Sequence, residues 1–452
     1  MSLSALPSEI ITCILSKVAS ILEDPAVAEQ DIWTTQHSLW ALSQCSRRLH
    51  ELVEPFLYAS FFERNDYTLL PFLRTILEAP RLAAFVKTYE GRPTRGFMHH
   101  EATVAFPSTR SRLHQNGGHE TNAMILLAIQ RGKINDEGSL RWLGDIIQGS
   151  WDAATALAII NLPNLQTLNL KITIPESSDS EEDYRELDAT AAFDVIAFKW
   201  INRSLRVAQE HQSSGQEAAE HSMRKLDTIR LSLLEDAVGM VFVSSLLAFL
   251  GLASLKIFEA YGLWLDDDLG DRVSFSLPTL SIADIGLGSA LILKCFTNVQ
   301  KLHLASRISM DPSEFICAMT HLSRSLRELT IVGSGTNSPR FRPSLASFEV
   351  LEKLDIVAPH LISWDLPRRH SWDLAMPTNL KHLTVRKCEE STVQAASRLV
   401  DRKLLKLCKL ESLYLEFLMS FIPEDAEKEV ELLRKKCVEA DVNFKVTWDG
   451  RR

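Results

Sequence analysis

Four histidines, His99, His100, His114 and His119, fall in one stretch rich in Gly, Arg and Ser, where grouped imidazoles could bind a metal. Their spacing matches no zinc-ligand pattern, and no His-x-x-x-His pair puts two on one helical face, so surface histidines are the simpler reading. Asp266-Asp267-Asp268-Leu269-Gly270-Asp271 begins like a calcium loop, but Gly270 and Leu277 stand where an EF-hand needs an oxygen donor and a bidentate Glu. Gly286-Leu287-Gly288 lacks the third glycine of a dinucleotide turn, and neither a Gly-Lys-Ser/Thr phosphate loop nor a Gly-x-Ser-x-Gly elbow occurs. Cys13, Cys45, Cys295, Cys317, Cys388, Cys408 and Cys437 are odd in number and never spaced Cys-x-x-Cys, which reads as reduced thiols. The expectation is a non-catalytic protein with no metal and no cofactor.

The chemistry left is recognition, and the positions for it come from a repeat. Nine segments read Leu-x-x-Leu-x-Leu or a close variant: Leu165/Leu168/Leu170, Leu226/Ile229/Leu231, Leu252/Leu255/Ile257, Leu277/Leu280/Ile282, Val299/Leu302/Leu304, Leu326/Leu329/Ile331, Leu351/Leu354/Ile356, Leu380/Leu383/Val385 and Leu410/Leu413/Leu415. Their first residues lie 61, 26, 25, 22, 27, 25, 29 and 30 positions apart. A leucine-rich repeat is roughly 20 to 29 residues of strand plus helix or turn. The spacing therefore predicts an α/β fold, an irregular solenoid with a curved parallel sheet over residues 161–452.

Side chains alternate along a strand, so inward leucines leave the residues between them on the concave face. That places Arg230, Lys256, Lys301, His303, Lys353, His382 and Tyr414 there, with Phe258 and Arg386 just after their strands. Arg230, Lys256, Lys301, Lys353 and Arg386 outnumber Glu328 and Asp355, which suggests a face for an acidic or phosphorylated partner anchored by Phe258 and Tyr414. The alternative is a solvated polar face without preference. After the strand only Cys388 fits the Asn/Cys position of the consensus, so the turns should vary.

Other segments frame the array. Residues 1–60 form a helical module. Apolar residues at 10, 11, 14, 15 and 18 mark a helix opened by Pro7, a polar stretch runs from Glu23 to His37, and Leu39, Leu42, Cys45, Leu49, Leu52 and Val53 mark a second helix that Pro55 ends. Residues 61–160 read as a mostly helical linker and N-terminal cap with a loop near 91–120. The 61-residue gap holds Glu176–Asp183, an acidic loop near 175–188 whose serines suit an acid-directed kinase or are simply solvated. Val442–Trp448 reads as a closing strand. Ala237–Leu255 is uncharged for 19 residues, but its Gly and Ser content and its overlap with a repeat favour a buried helix over a membrane span. A net charge of -9 and a pI near 5.9 argue against nucleic-acid and membrane partners, a local basic patch aside. Met1–Ile14 shows no secretory signal, which suits a cytoplasmic or nuclear location.

Leu6-Pro7-Ser8-Glu9-Ile10, Ile14-Leu15, Leu39-Trp40-Ala41-Leu42-Ser43-Gln44-Cys45-Ser46-Arg47-Arg48-Leu49 and Glu54-Pro55-Phe56-Leu57-Tyr58 resemble the F-box family in its fungal form, over about residues 5 to 60. The segment Ser20–Ser38 is longer than usual, and Leu49 stands where many members carry Trp. With the repeats, the resemblance implies a leucine-rich-repeat F-box protein, the substrate receptor of an SCF-type ubiquitin ligase. Leu6, Pro7, Ile10, Ile14, Leu15, Leu39, Leu42 and Leu49 would then form or support the surface for a Skp-type linker protein, and through it a cullin. The target protein is not implied. A competing expectation is a binding scaffold whose box-like helices only cap the solenoid, with Leu6, Ile10 and Leu42 buried against its own repeats.

Overall fold

The computed structural model describes residues 6–23, 29–63, 68–92, 118–131, 136–147, 150–172, 199–213, 223–233, 241–242, 246–261, 263–264, 273–283, 289–310, 316–335, 345–358, 376–388, 390–418 and 426–449. His99, His100, His114, the acidic run Glu176–Asp183, Asp266–Asp271 and Gly286–Gly288 lie outside them. The chain divides into two compact units, Met1–Gly239 with Ser245–Leu255 and Met240–Ser244 with Lys256–Arg452.

In the first unit, α1 (Ser8–Glu23), α2 (Glu29–Cys45) and α3 (Arg47–Leu57) close on a shared core of Ile11, Leu15, Leu22, Leu39, Leu49 and Val53. α2 runs through most of the stretch read as polar. Ile32, Leu39 and Leu42, spaced seven and three residues apart on one helical face, pack on this core and seat the helix. The single helix expected over Leu39–Val53 is two, because Ser46 is extended and its Oγ accepts the Leu49 N–H at 3.2 Å, capping α3. Pro55 sits inside α3 without ending it.

The region read as a linker also contains strands. β1 (Ser60–Phe62) and β2 (Thr88–Gly91) join β3 (Thr167–Ile172) and β4 (Thr228–Leu233) in the parallel order β1-β2-β3-β4. Tyr89 pairs with Leu168 and Gly91 with Leu170, so Val86/Tyr89/Gly91 is a repeat copy disguised by a tyrosine and a glycine. A Cβ on Gly91 would lie 2.9 Å from the Trp151 ring, which fills the leucine's place from the side. The same region holds the helices α4 (Leu69–Glu78), α5 (Pro80–Ala83), α6 (Gly118–Arg131), α7 (Asp136–Ile147) and α8 (Trp151–Ile160). α8 is buried on all sides. Later in this unit lies α9 (Lys199–Ser213), whose Trp200, Ile201 and Leu205 are buried.

In the second unit β5 (Ile257–Tyr261), β6 (Thr279–Ala283), β7 (Lys301–Met310), β8 (Glu328–Gly335), β9 (Lys353–Val357), β10 (His382–Cys388), β11 (Ser412–Leu418) and β12 (Asn443–Asp449) form a parallel sheet in sequence order. Two helices flank the last strands, α10 (Glu390–Leu404) and α11 (Ala426–Glu439). One backbone bond pattern recurs. The carbonyls of Pro278, Gln300, Arg327, Glu352 and Lys381 each accept two successive N–H groups at the next strand's start. This ladder needs no particular side chain, so repeats of varied sequence keep one register.

The third repeat departs from its expected register. Strand β5 pairs Phe258 with Leu280 and Ala260 with Ile282, and both are buried while Ile257 is not. The working triplet is Leu255/Phe258/Ala260. A second apolar residue three positions upstream, Leu252, had offered a competing start.

Among the described residues no helix is long and apolar enough to cross a membrane. In Ala237–Leu255 the described part is a two-residue strand, Val241–Phe242, and one helical turn, Leu247–Leu250, with Leu246, Phe249 and Leu252 buried in protein.

Candidate functional site

Within the first unit, the apolar residues of α1 split into two rows. Ile11 and Leu15 fill the helical core, while Ile10 is 48% and Ile14 43% exposed, with Ile21 further along the same side. Leu39 and Leu49 are core residues, Leu6 and Leu42 pack against that core partly buried, and Pro7 is exposed. The eight residues expected at a linker-protein surface thus separate into three outward ones, Pro7, Ile10 and Ile14, and an inward set of five that supports them. Trp40 on α2 is 50% exposed, its ring 5.6 Å from that of His37. Trp33, His37 and Trp40 line one side of a groove of about 770 Å³ whose other side is Tyr58, Phe61 and Phe72.

The base of this module is fixed by one ion pair and by hydrogen bonds from an arginine and to a buried carboxylate. Glu54 is buried at the end of α3 and receives two hydrogen bonds from Arg81 of α5, at 2.7 and 3.0 Å. Arg48 donates to the Leu6 carbonyl and the Ser8 hydroxyl, both at 2.9 Å, tying the Leu6-Pro7-Ser8 segment to α3. Glu63 is buried just after β1 and accepts the Trp151 indole N–H at 2.7 Å and the Arg92 N–H at 2.9 Å. Burial, and secondly this carboxylate, push the Tyr89 hydroxyl pKa well up.

The sheet face opposite the leucines behaves differently from its expected excess of cations. In the second unit Lys301, Lys353, Arg386 and Lys445 share this face with Glu259, Glu328, Asp355 and Glu416, and Lys387 at the β10 irregularity donates to the Gly333 carbonyl at 3.3 Å. Glu328 lies between Lys301 and Lys353, 3.2 Å from each, and Arg386 forks onto Asp355 at 2.8 and 2.9 Å with Glu416 at 3.7 Å. Partial burial opposes ionisation of Glu328, yet hydrogen bonds from the two lysines hold its carboxyl below the usual range. The Asp355 hydrogen bonds raise the Arg386 pKa further.

Two of the expected residues are corrected. Phe258 is fully buried and cannot anchor a partner, and Lys256 precedes β5 instead of lying between its inward residues. The alternation error at the third repeat moved both, and it hid Glu259. In the first unit Arg230 is half-buried on β4 beside Asn169, and Lys171 pairs with Glu90 at 2.5 Å. Lys445 and Glu416 were legible by extending the alternation through the last two strands.

His303, His382 and Tyr414 do lie on the open face. His382 Nδ1 is 2.8 Å from Ser412 Oγ, Tyr414 bonds Thr447 at 2.6 Å, and Lys445 Nζ sits 5.4 Å from the Tyr414 ring centre. At β10, Lys387 adopts a left-handed conformation (φ 51°) in an irregular pairing. This extra residue turns Cys388 into the core while Arg386 stays out.

Burial lowers the His303 pKa, with Arg386 adding to the effect and Asp355 and Glu259 opposing it. Arg386→Gln is therefore expected to raise that pKa, by removing a cation and freeing Asp355, and Asp355→Asn to lower it further than in the parent. NMR titration of histidine-labelled protein reads both, and shifts of the same sign in the two variants would contradict the arrangement.

Among the described residues no three His, Cys, Asp or Glu side chains gather as metal ligands, and all seven cysteines are free thiols. No protein-family model, no curated protein and no solved structure matches this chain.

Proposed function

We propose that this protein is a substrate-recognition adaptor of an SCF-type ubiquitin ligase, with residues 6–58 as an F-box and the parallel strands as a leucine-rich-repeat solenoid. It docks a Skp-type linker protein through Ile10 and Ile14 and holds a target on the open sheet face. It is not itself catalytic. Its contribution is proximity, keeping target lysines near activated ubiquitin. The observation that carries the reading is the exposed isoleucine pair on a helix whose other side already completes a closed core. Such a row stays apolar at a cost in solubility unless a partner covers it.

In the capping alternative Ile10 is covered by the chain's own repeats, and its 48% exposure disfavours that reading. The charge-balanced open face supports a target with charges of both signs over a purely acidic one.

Co-purification with a Skp-type linker protein tests the proposal. Ile10→Asp with Ile14→Asp is expected to weaken the complex at least about 100-fold, since central apolar anchors each contribute roughly 2 kcal/mol. Both side chains face solvent, so the melting temperature should stay within a few degrees. A parent chain that is folded yet captures no linker protein would sink the proposal.

A further inference from the structure

A second surface has no part in that scheme. The last turn of α10 and the turn after it read Arg402-Lys403-Leu404-Leu405-Lys406-Leu407-Cys408-Lys409, four cations and no acid in a chain of net charge -9. Leu404, Leu405 and Leu407 are 45%, 70% and 54% exposed. Their projection is built in. Leu405, Lys406 and Leu407 donate backbone N–H bonds to Asp401, Lys403 and Arg402, and Lys406 takes the left-handed conformation (φ 59°) that closes a helix C-terminus. Cys408 and Leu410, buried immediately after, pin the turn to the protein. Lys403, Lys406 and Lys409 make no ion pair among the described residues. The nearest preceding acid, Asp401, is occupied by Lys436 at 2.9 and 3.0 Å.

We infer that this turn docks on an anionic lipid bilayer. Lysines and exposed leucines alternate within one rigid turn, so cationic and apolar groups leave the protein at the same place. A bilayer interface offers the matching order, with anionic headgroups directly over acyl chains. An acidic protein partner would satisfy the lysines but leave three neighbouring leucines to be covered by a separate apolar patch. The overall negative charge limits the attraction to this local patch and makes it reversible and sensitive to salt.

The test is co-sedimentation of the full chain with vesicles of phosphatidylcholine alone and of phosphatidylcholine mixed with phosphatidylserine. The expected result is at least about tenfold stronger binding to the anionic vesicles, abolished by high salt. Each lysine near such a surface contributes a factor of about five. A Lys403→Glu, Lys406→Glu, Lys409→Glu variant and a separate Leu405→Ser, Leu407→Ser variant should each lose more than about tenfold, with unchanged circular-dichroism melts. Equal binding to both vesicle types, or undiminished binding by a folded variant, overturns the inference. So does self-association that depends on the leucines without vesicle binding, which would make the turn a contact between copies. The salt arm tests the unmodified chain, so a variant that fails to fold leaves a decisive result.

Discussion

Phe258→Ala is expected to lower the stability of the second unit by about 3–5 kcal/mol, the range for removing a large aromatic side chain from a packed core. Ile257→Ala, one residue away, should cost about 1 kcal/mol or less, as for a position outside the core. The contrast follows from register. Phe258 pairs with Leu280 and is fully buried, while Ile257 pairs with Thr279 and is only partly covered. The sequence pattern Leu252/Leu255/Ile257 makes the opposite forecast. Urea unfolding of the two variants, followed by circular dichroism, decides between them. A larger loss for Ile257→Ala would mean that β5 is shifted by one residue, turning Glu259 inward.

Asp152→Ala is expected to cost about 3 kcal/mol or more. Asp152 is buried on α8, and its two carboxylate oxygens accept the N–H groups of Trp200 at 2.6 Å and Ile201 at 3.1 Å, in the first turn of α9. A remote side chain thus does what an N-cap residue normally does. A bond to a charged group contributes roughly 1.5–3 kcal/mol, and removing the acceptor strands two buried donors. The same corner stacks Trp142 on Trp200 at 4.9 Å, with the Trp200 indole N–H donating to Asp145 at 2.7 Å. Asp152→Asn should recover only part of the loss, because an amide offers one acceptor oxygen to two donors. Hydrogen exchange localises the effect: the Trp200 and Ile201 amides should lose protection first in Asp152→Ala. Unchanged protection there would show that the carboxylate does not hold the helix.

How legible these features were depends on the distance over which they are decided. The alternation of Leu302/Leu304, Leu329/Ile331, Leu354/Ile356 and Leu383/Val385 is local, and the backbone ladder carries it from strand to strand, so those strands lie where their residues predict. β2 escaped because Trp151, sixty residues later in the chain, fills the place a leucine would take at Gly91. Nothing near Gly91 announces that.

The candidate surfaces divide in the same way. Sequence by itself determined the α/β class, the order and parallel sense of most strands, and which residues of those strands leave the core, because each rests on periodicity within a few residues. Only the tertiary structure decided which isoleucines of α1 face outward, since Ile10, Ile11, Ile14 and Leu15 are equally apolar and only packing against Leu39 and Leu49 separates them. It also decided the charge of the open face. Lys301 and Lys353 meet Glu328 across distances of 27 and 25 residues, and Arg386 meets Asp355 across 31, so a count of cations along the chain could not reveal that they are neutralised. Pairing across a parallel sheet is set by the register of neighbouring strands, and register is a property of the folded array.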